Sequence, residues 1–359
     1  MKKRALSKAM SVPYEDVKIY LISDPTQFAL TDVYEGYKNA LNELRVSYET
    51  FPEHLFRQIL QDGVCFQMVH STALIKSRGF THVMFIGGLN VPNFLYENLY
   101  HVKSVVVATE DPHSFDPNKH RLSSIDYYFS NERSIGTSDR YKNTYYCPTG
   151  ASTHACGKFP VKILEEKYRS DILFLGAIYP NRRQMLESII PFVKRNDLSF
   201  KICGHAHYLP RKSPLWEYVF DERTIPHEET VKYYNGAKAV LNFMRDVKWS
   251  PRTKTQRNPL NRSRFKPESL NPRAYEVSLC QSFMLMEDCR DEAHEIFTED
   301  EVGFFSDPKS LEESLKYFLL GPGKDSREDM AFNAFRKVSE NHTYVHRLKD
   351  ILAVIAPES

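Results

Sequence analysis

The sequence predicts an α/β fold made of two parallel-sheet domains in tandem, and three observations predict it. Short apolar, β-branched runs alternate with stretches of helical periodicity, the pattern of strands joined by crossover helices. The alternation breaks once, between about Gly150 and Arg169, where Gly, Pro and Ser accumulate, and then restarts. At 359 residues the chain is also longer than one core usually serves. Two units of roughly 150 to 200 residues are therefore expected.

VKIYLIS (17 to 23) reads as the first buried strand, and Leu30, Val33, Tyr34, Tyr37, Ala40, Leu41 and Leu44 then recur at the spacing of one helix face. The unit repeats through RVSYETF, a helical stretch from His54 to about Lys76, THVMFIGG (81 to 88), a short helix near Asn93 to Tyr100, and SVVVATED (104 to 111). IDYYFSN (125 to 131) and NTYYCPTG (143 to 150) extend the series, and such apolar runs imply a sheet covered on both faces. After the break, which holds the short helical piece EEKY, come DILFLGA (171 to 177), a helix through RRQMLESIIPFV, LSFKICG (198 to 204), AKAVLNF (237 to 243) and SFMLMED (282 to 288). From Asp307 the pattern is helical: DPKSLEESLKYFLL opens with an Asp cap, and SREDMAFNAFRKVSEN and TYVHRLKDILAVIA follow. The expected organisation is a first domain over 1–160, a second over 161–340, and a closing helix over 341–359 placed to pack back on the first domain.

With 48 basic and 46 acidic residues the net charge is +2, which gives no global field toward nucleic acid or membrane. The basic start MKKRALSKAM lacks the apolar stretch of a signal peptide, and no run of membrane-spanning length occurs, so a soluble, cytoplasmic protein with no membrane span is expected. Cys65, Cys147, Cys156, Cys203, Cys280 and Cys289 form no CxxC pair and read as reduced thiols. Cys147, His154 and Cys156, and separately His205 and His207, are each half of a metal site without a second half. No two aspartates are separated by one residue, and no metal ligand set is assigned. No GxGxxG follows the first strand, which weakens a dinucleotide-dependent dehydrogenase, and GPGKDS (321 to 326) departs from a P-loop at both the Gly spacing and the residue after Lys.

In open α/β sheets ligands bind beyond the carboxyl ends of the strands. In the first half those positions hold Ser23, Asp24 and Pro25, Gly87 and Gly88, Glu110, Asp111, Pro112 and His113, and Ser130 with Asn131. In the second half they hold Gly176, Gly204, Arg245 and Asp288. Behind Gly176, Pro180 opens a helix whose first turn carries Arg182 and Arg183. Cations there oppose the helix dipole unless an anion compensates, so a phosphate held by guanidinium and backbone N–H together fits, alongside the plainer reading of a solvated basic face. NPRAYE supplies a second such start: Pro272 suits the first helical position, Arg273 follows it, and Glu276 one turn in offers a carboxylate able to accept both hydroxyls of a ribose. The basic, acid-free segment SPRTKTQRNPLNRSRFK (250 to 266) reads as a loop that is either solvated or suited to a polyanion.

These residues resemble a family, the CgeB-like spore maturation proteins within the group 1 glycosyltransferases. The resemblance runs through DILFLGAIYPNRRQML, YYNGAKAVLNFMRD, NPRAYEVSLC, SFMLMED, GFFSDPKSLEESLKYFL and NHTYVHRLKDIL, and more loosely through ATEDP, DYYFSNERS and YYCPTGAS. Where that family shows a small Gly-containing turn after the Arg-aromatic-Glu helix, this chain has Gln281 and Ser282. The resemblance implies the GT-B architecture, two Rossmann-like domains with parallel sheets facing a central cleft. It implies a metal-independent glycosyltransferase that needs no cofactor and uses a nucleotide sugar, UDP- or GDP-linked, as donor. By the same analogy Gly176, Arg182 and Arg273 approach the diphosphate, Asn242 and Arg245 complete the cleft, and Tyr275 and Glu276 belong to the donor site. Glu268 matches the first glutamate of the paired-Glu motif of retaining relatives, although Glu35 with Glu43 and Glu287 with Glu295 share its spacing.

The expected activity is therefore transfer of a hexosyl or pentosyl group to an acceptor of unidentified class: protein, glycan or nucleic acid. Retention of configuration is mildly favoured, and inversion needs a base from the first domain, for which Asp111 and His113 are the candidates. The competing readings are a non-catalytic nucleotide-sugar sensor or scaffold, and a glycosyltransferase whose acceptor is nucleic acid.

Overall fold

The computed structural model of the protein describes residues 14–23, 30–51, 75–76, 78–87, 96–97, 99, 101–154, 165–207, 209–223, 225–245 and 261–356. Most of the expected helix over 54 to 76 and most of the one near 93 to 100 lie outside the described residues, as do Asp24, Pro25, Gly88 and most of the basic 250 to 266 segment.

The first sheet contains β1 (Lys18–Ser23), β2 (Ser47–Thr50), β3 (His82–Ile86), β4 (Lys103–Val107), β5 (Tyr127–Ser130) and β6 (Thr144–Tyr146), in the order β2-β1-β3-β4-β5-β6. All pairs are parallel. Alternate side chains feed two cores: Tyr20, Ile22, Val83, Phe85 and Val106 on one face, and Ile19, Leu21, Met84, Ile86, Val105 and Val107 on the other. That is why the strands read as unbroken apolar runs rather than alternating ones. The second face is covered by α1 (Leu30–Glu43) together with the C-terminal helix, as described below.

The second sheet contains β7 (Ser170–Leu175), β8 (Phe200–Cys203), β9 (Val219–Asp221), β10 (Ala237–Asn242), β11 (Met284–Glu287) and β12 (Gly303–Phe305), in the order β12-β11-β10-β7-β8-β9 and again all parallel. Counted within this domain the order is the doubly wound Rossmann order, whose reversal lies between β7 and β10. β9 and β12, each three residues long, complete the edges and were too short to stand out in the sequence.

The helices that position the cleft begin with α2 (Arg133–Gly136), after β5, and α3 (Pro180–Ser188), after β7. The expected helix through RRQMLESIIPFV is two pieces, because α4 (Ile190–Arg195) starts afresh beside Pro191. They are followed by α5 (His227–Gly236), α6 (Pro272–Leu279), α7 (Asp291–Ile296), α8 (Pro308–Leu315), α9 (Ser326–Asn341) and α10 (Tyr344–Ile355). α9 packs against α6, and the chain then recrosses to the first domain. There α10 lies on α1 and places Tyr344, Leu348, Ile351, Leu352 and Ile355 in the first sheet's second core. Arg347, buried at this crossing, donates to the Thr149 carbonyl and to His342.

A second tie between the domains is the segment before α6. Ser263 donates its backbone N–H to Asp116, Phe265 packs edge-on against Phe115 at 5.4 Å, and the Glu268 N–H donates to Glu132 at 3.0 Å. Residues 261–269 therefore form a strap laid on the first domain, and α6 starts just beyond the strap's end. Beneath it, the buried Glu292 carboxylate accepts from the Leu270 N–H at 2.7 Å and from the Tyr146 hydroxyl of the first domain. Arg133 of α2 adds a bidentate pair to Glu295, both contacts 2.7 Å.

Candidate active site

The reversal point between β7 and β10 puts the ends of those strands next to the starts of α3 and α6. Gly176, directly after β7, has φ +146, a region that L side chains rarely adopt. A Cβ there would lie 2.3 Å from Nη2 of Arg273 and 3.6 Å from Nη1 of Arg182, so the glycine is what lets two guanidiniums close over the strand end. Gly204, after β8, is equally committed: its Cβ would meet the Gly176 carbonyl at 2.4 Å.

Arg182 is buried, although it belongs to the first turn of α3. It donates to the Ala177 carbonyl at 3.1 Å and the Met244 carbonyl at 3.4 Å. Burial holds its pKa down, and the neighbouring Arg273 and Arg245 add to the effect by like-charge repulsion. Arg183, one residue on, faces outward and pairs with Glu187. Asn242 ends β10 with no exposure; its Oδ1 accepts from Asn271 at 2.9 Å and from Arg273 at 3.4 Å. Its Nδ2 and the Nε of Arg273 are buried without a hydrogen-bond partner, as groups awaiting an acceptor are. Asn271 caps α6 through Ala274 N–H and so fixes the helix start that carries Arg273.

Arg245, after β10, reaches across to the first domain and pairs with Glu110 at 2.9 Å. Arg290, after β11, holds the Arg245 carbonyl at 2.8 Å. Glu287 accepts from the Met244 N–H at 2.8 Å and balances Arg290 and Arg182. Among the described residues the cluster thus sets four guanidiniums, Arg182, Arg245, Arg273 and Arg290, against two carboxylates, Glu110 and Glu287, an excess of positive charge. Arg290 was not singled out in the sequence, yet the strand-end rule that found Asp288 points two residues short of it.

His113 faces this cluster from the first domain. Burial drives its pKa down to about 2, and Arg245, Arg290 and Arg182 push the same way. The imidazole is therefore neutral at physiological pH, with a lone pair available. Asp111 sits two residues earlier, but its carboxylate is turned inward: Ser130 donates to it at 2.7 Å, Tyr128 at 3.0 Å and Ser114 at 3.4 Å. Burial raises its pKa to about 6 despite those hydroxyls.

Glu276 lies one turn along α6 from Arg273. Burial raises its pKa, His227 and Arg273 oppose the rise, and Asp32 of the first domain adds to it. Among the described residues its carboxylate has no hydrogen-bond partner, although it remains partly open to solvent. Tyr275 is not brought to this cleft. Its side chain has no exposure and stacks 5.6 Å from His342, because adjacent residues on a helix point about 100° apart. Glu268 sits on the strap with its N–H on Glu132 and its carbonyl taken by the Glu292 N–H. Gln281, at the turn after α6, has φ +51, the conformation a glycine adopts more cheaply.

Other sequence features resolve simply. Cys147, Cys203 and Cys280 are buried free thiols and Cys289 is an exposed one, while Cys65 and Cys156 lie outside the described residues. Among the described residues no group of three His, Cys, Asp or Glu is placed to hold a metal ion. Among the described residues no helix is long and apolar enough to cross a membrane.

Residues 182–353 match the model of a family described as glycosyl transferase-like. The chain is 28% identical over 188 residues to the spore protein CgeB of Bacillus subtilis, a stretch that covers 50% of this chain and 54% of CgeB, so the match spans about half the length of that relative. Solved structures with the same fold include an α-glucosyltransferase in complex with UDP and a 13-mer DNA, at TM-score 0.65 and 11% identity over 95% of this chain and 100% of that one. Another is sucrose-phosphate synthase from Thermosynechococcus elongatus, at TM-score 0.58 and 11% identity over 94% of this chain and 99% of that one. A third is HepE of Anabaena in complex with UDP and glucose, at TM-score 0.58 and 9% identity over 95% and 99%. With two six-stranded parallel sheets the chain has the GT-B fold of these structures, and its second half is similar to the glycosyl transferase-like family and to CgeB.

Proposed function

We propose that the protein transfers a sugar from a UDP- or GDP-linked donor, bound on the second domain, to an acceptor that enters from the first. The observation that carries this reading is the convergence at the β7/β10 reversal. Gly176, Arg182, Arg273 and the Asn242 Nδ2 form an anion site there, and Glu276, whose carboxylate like that Nδ2 has no hydrogen-bond partner among the described residues, stands one helical turn away. Arg182 and Arg273 would take the diphosphate, and Glu276 would accept the two ribose hydroxyls. The four guanidiniums supply the positive charge that a departing diphosphate requires, which supports a reaction run without a metal. Of the two candidate bases, His113 has the free lone pair and Asp111 is occupied by hydroxyls, so His113 would serve an inverting reaction, or touch the sugar in a retaining one. Retention is favoured mildly by the Glu268 and Glu276 pair.

A panel of nucleotide sugars and nucleoside diphosphates, read by thermal shift, tests the donor. A donor at a hundred times its dissociation constant adds about 2.7 kcal/mol of stability. No shift with any member would overturn the reading, and binding without hydrolysis or transfer would favour a sensor.

A second reading makes nucleic acid the acceptor. It is favoured by the acid-free basic segment 250 to 266 and by the solved neighbour captured with UDP and DNA. It requires DNA or RNA binding that falls steeply with salt.

A further inference from the structure

Three of the cleft guanidiniums share two aromatic rings. Arg273 lies over Phe174 at 5.5 Å, Arg182 lies near the same ring at 6.0 Å and over Tyr179 at 5.1 Å, and Arg245 lies over Tyr179 at 5.0 Å. Cation and ring alternate along this line from the donor-side helix α6 to the edge of the first domain, where Arg245 meets Glu110. Like charges this close repel, and a flexible arginine without a counter-ion would swing toward water. The negative face of an aromatic ring attracts the guanidiniums that lie against it and offsets part of that repulsion.

Phe174 is a fully buried strand residue whose ring is also held edge-on by Phe243, so its place is set by the core. Tyr179 is different. It is half-buried, precedes α3 as the N-cap, and offers no side-chain cap bond to the helix. Its backbone carbonyl accepts from Arg183 N–H at 2.8 Å, which ties it to the first turn of α3.

We propose that Tyr179 is a positioning residue: its ring holds Arg245 beside Arg182, so that an arriving diphosphate draws Arg245 away from Glu110 and is gripped by a row of three guanidiniums instead of two. This rests on the reading of the cleft as a diphosphate site. Glu110, which is partly exposed, is then a built-in anion that occupies Arg245 until the ligand replaces it.

The test is calorimetric titration of the full chain with inorganic pyrophosphate, and with UDP and GDP in parallel. Tyr179→Phe is expected to bind within about threefold of wild type, and Tyr179→Leu at least about tenfold more weakly. Glu110→Gln is expected to tighten pyrophosphate binding severalfold in the wild-type background and to lose that gain alongside Tyr179→Leu. Fluorinated phenylalanines at position 179, which drain the ring face without changing its shape, are expected to weaken binding stepwise, and they decide the matter if the leucine variant does not fold. Equal binding by the Phe and Leu variants, equal losses in both, or a flat fluorination series would each overturn the role of Tyr179 while leaving the diphosphate reading standing. If wild type binds none of the three ligands, the diphosphate reading itself falls, and this assignment with it.

Discussion

His227 of the second domain and Asp32 of the first meet across the cleft at 2.9 Å, Nδ1 to Oδ2, beside the carboxyl of Glu276. The pair closes the end of the cleft where a ribose would lie. Its two members act on Glu276 in opposite directions, Asp32 raising its pKa and His227 with Arg273 lowering it, and burial remains the main influence on that carboxyl.

Replacing Glu276 with Ala is therefore expected to leave the melting temperature unchanged or slightly raised, since a half-buried carboxyl with no hydrogen-bond partner among the described residues is removed. Nucleotide affinity should fall by about 10- to 100-fold, the equivalent of about 1.5 to 3 kcal/mol for a charge-assisted hydrogen bond. Calorimetry of unfolding and of UDP binding separates the two effects, and a parallel collapse of stability would make Glu276 a structural residue.

His113 should report on occupancy of the cleft. After burial, its pKa is lowered chiefly by Arg245, Arg290 and Arg182, whose charge an anion would neutralise. Added pyrophosphate is expected to raise the His113 pKa from about 2 toward the usual range, seen in the pH dependence of its imidazole nitrogen resonances. An unchanged titration with the anion bound would remove His113 from the site.

Asp111 should leave a signature in the pH dependence of stability. Its pKa is raised from 3.8 to about 6 on folding, so the folded state holds the proton more tightly than the unfolded chain. The resulting stability is full below about pH 4 and is lost as the pH rises through 6. Asp111→Asn is expected to flatten the melting temperature profile between pH 4 and pH 7. The same downward slope persisting in the variant would assign it elsewhere, with Glu276 and Glu292 the next carboxyls to examine because burial raises both.

The strap should couple the domains. Phe265 packs with Phe115 and Tyr141 of the first domain's core while belonging to the second domain's chain. Phe265→Ala is expected to cost about 2 kcal/mol, below the range for a fully buried ring because this one is partly exposed. Amide exchange at Ser263 to Ser269 should accelerate in the variant; protection equal to wild type would show that the polar ties to Asp116 and Glu132 suffice.

Much of the fold was legible because parallel strands buried on both faces leave continuous apolar runs, as in HVMFI and SDILFL. The three-residue edge strands β9 and β12 were not, since so few residues carry no period. The convergence of Gly176, Arg182, Asn242, Arg245 and Arg273 was legible for a related reason: each ends or follows a strand or opens a helix, positions that chain order alone makes candidates.

What the sequence determined by itself was this set of strand ends and helix starts, together with the excess of arginine among them. Only the tertiary structure decided which of them share a site. It turned Arg182 in and Arg183 out, sent Tyr275 into the core beside its neighbour Glu276, and occupied Asp111 with hydroxyls while leaving His113 facing the arginines. It also brought the Tyr179 ring to both Arg182 and Arg245 and set Glu110 opposite Arg245. These outcomes depend on contacts between segments far apart in the chain. Local sequence fixes the direction a residue leaves the backbone but not which distant charge or ring it will meet.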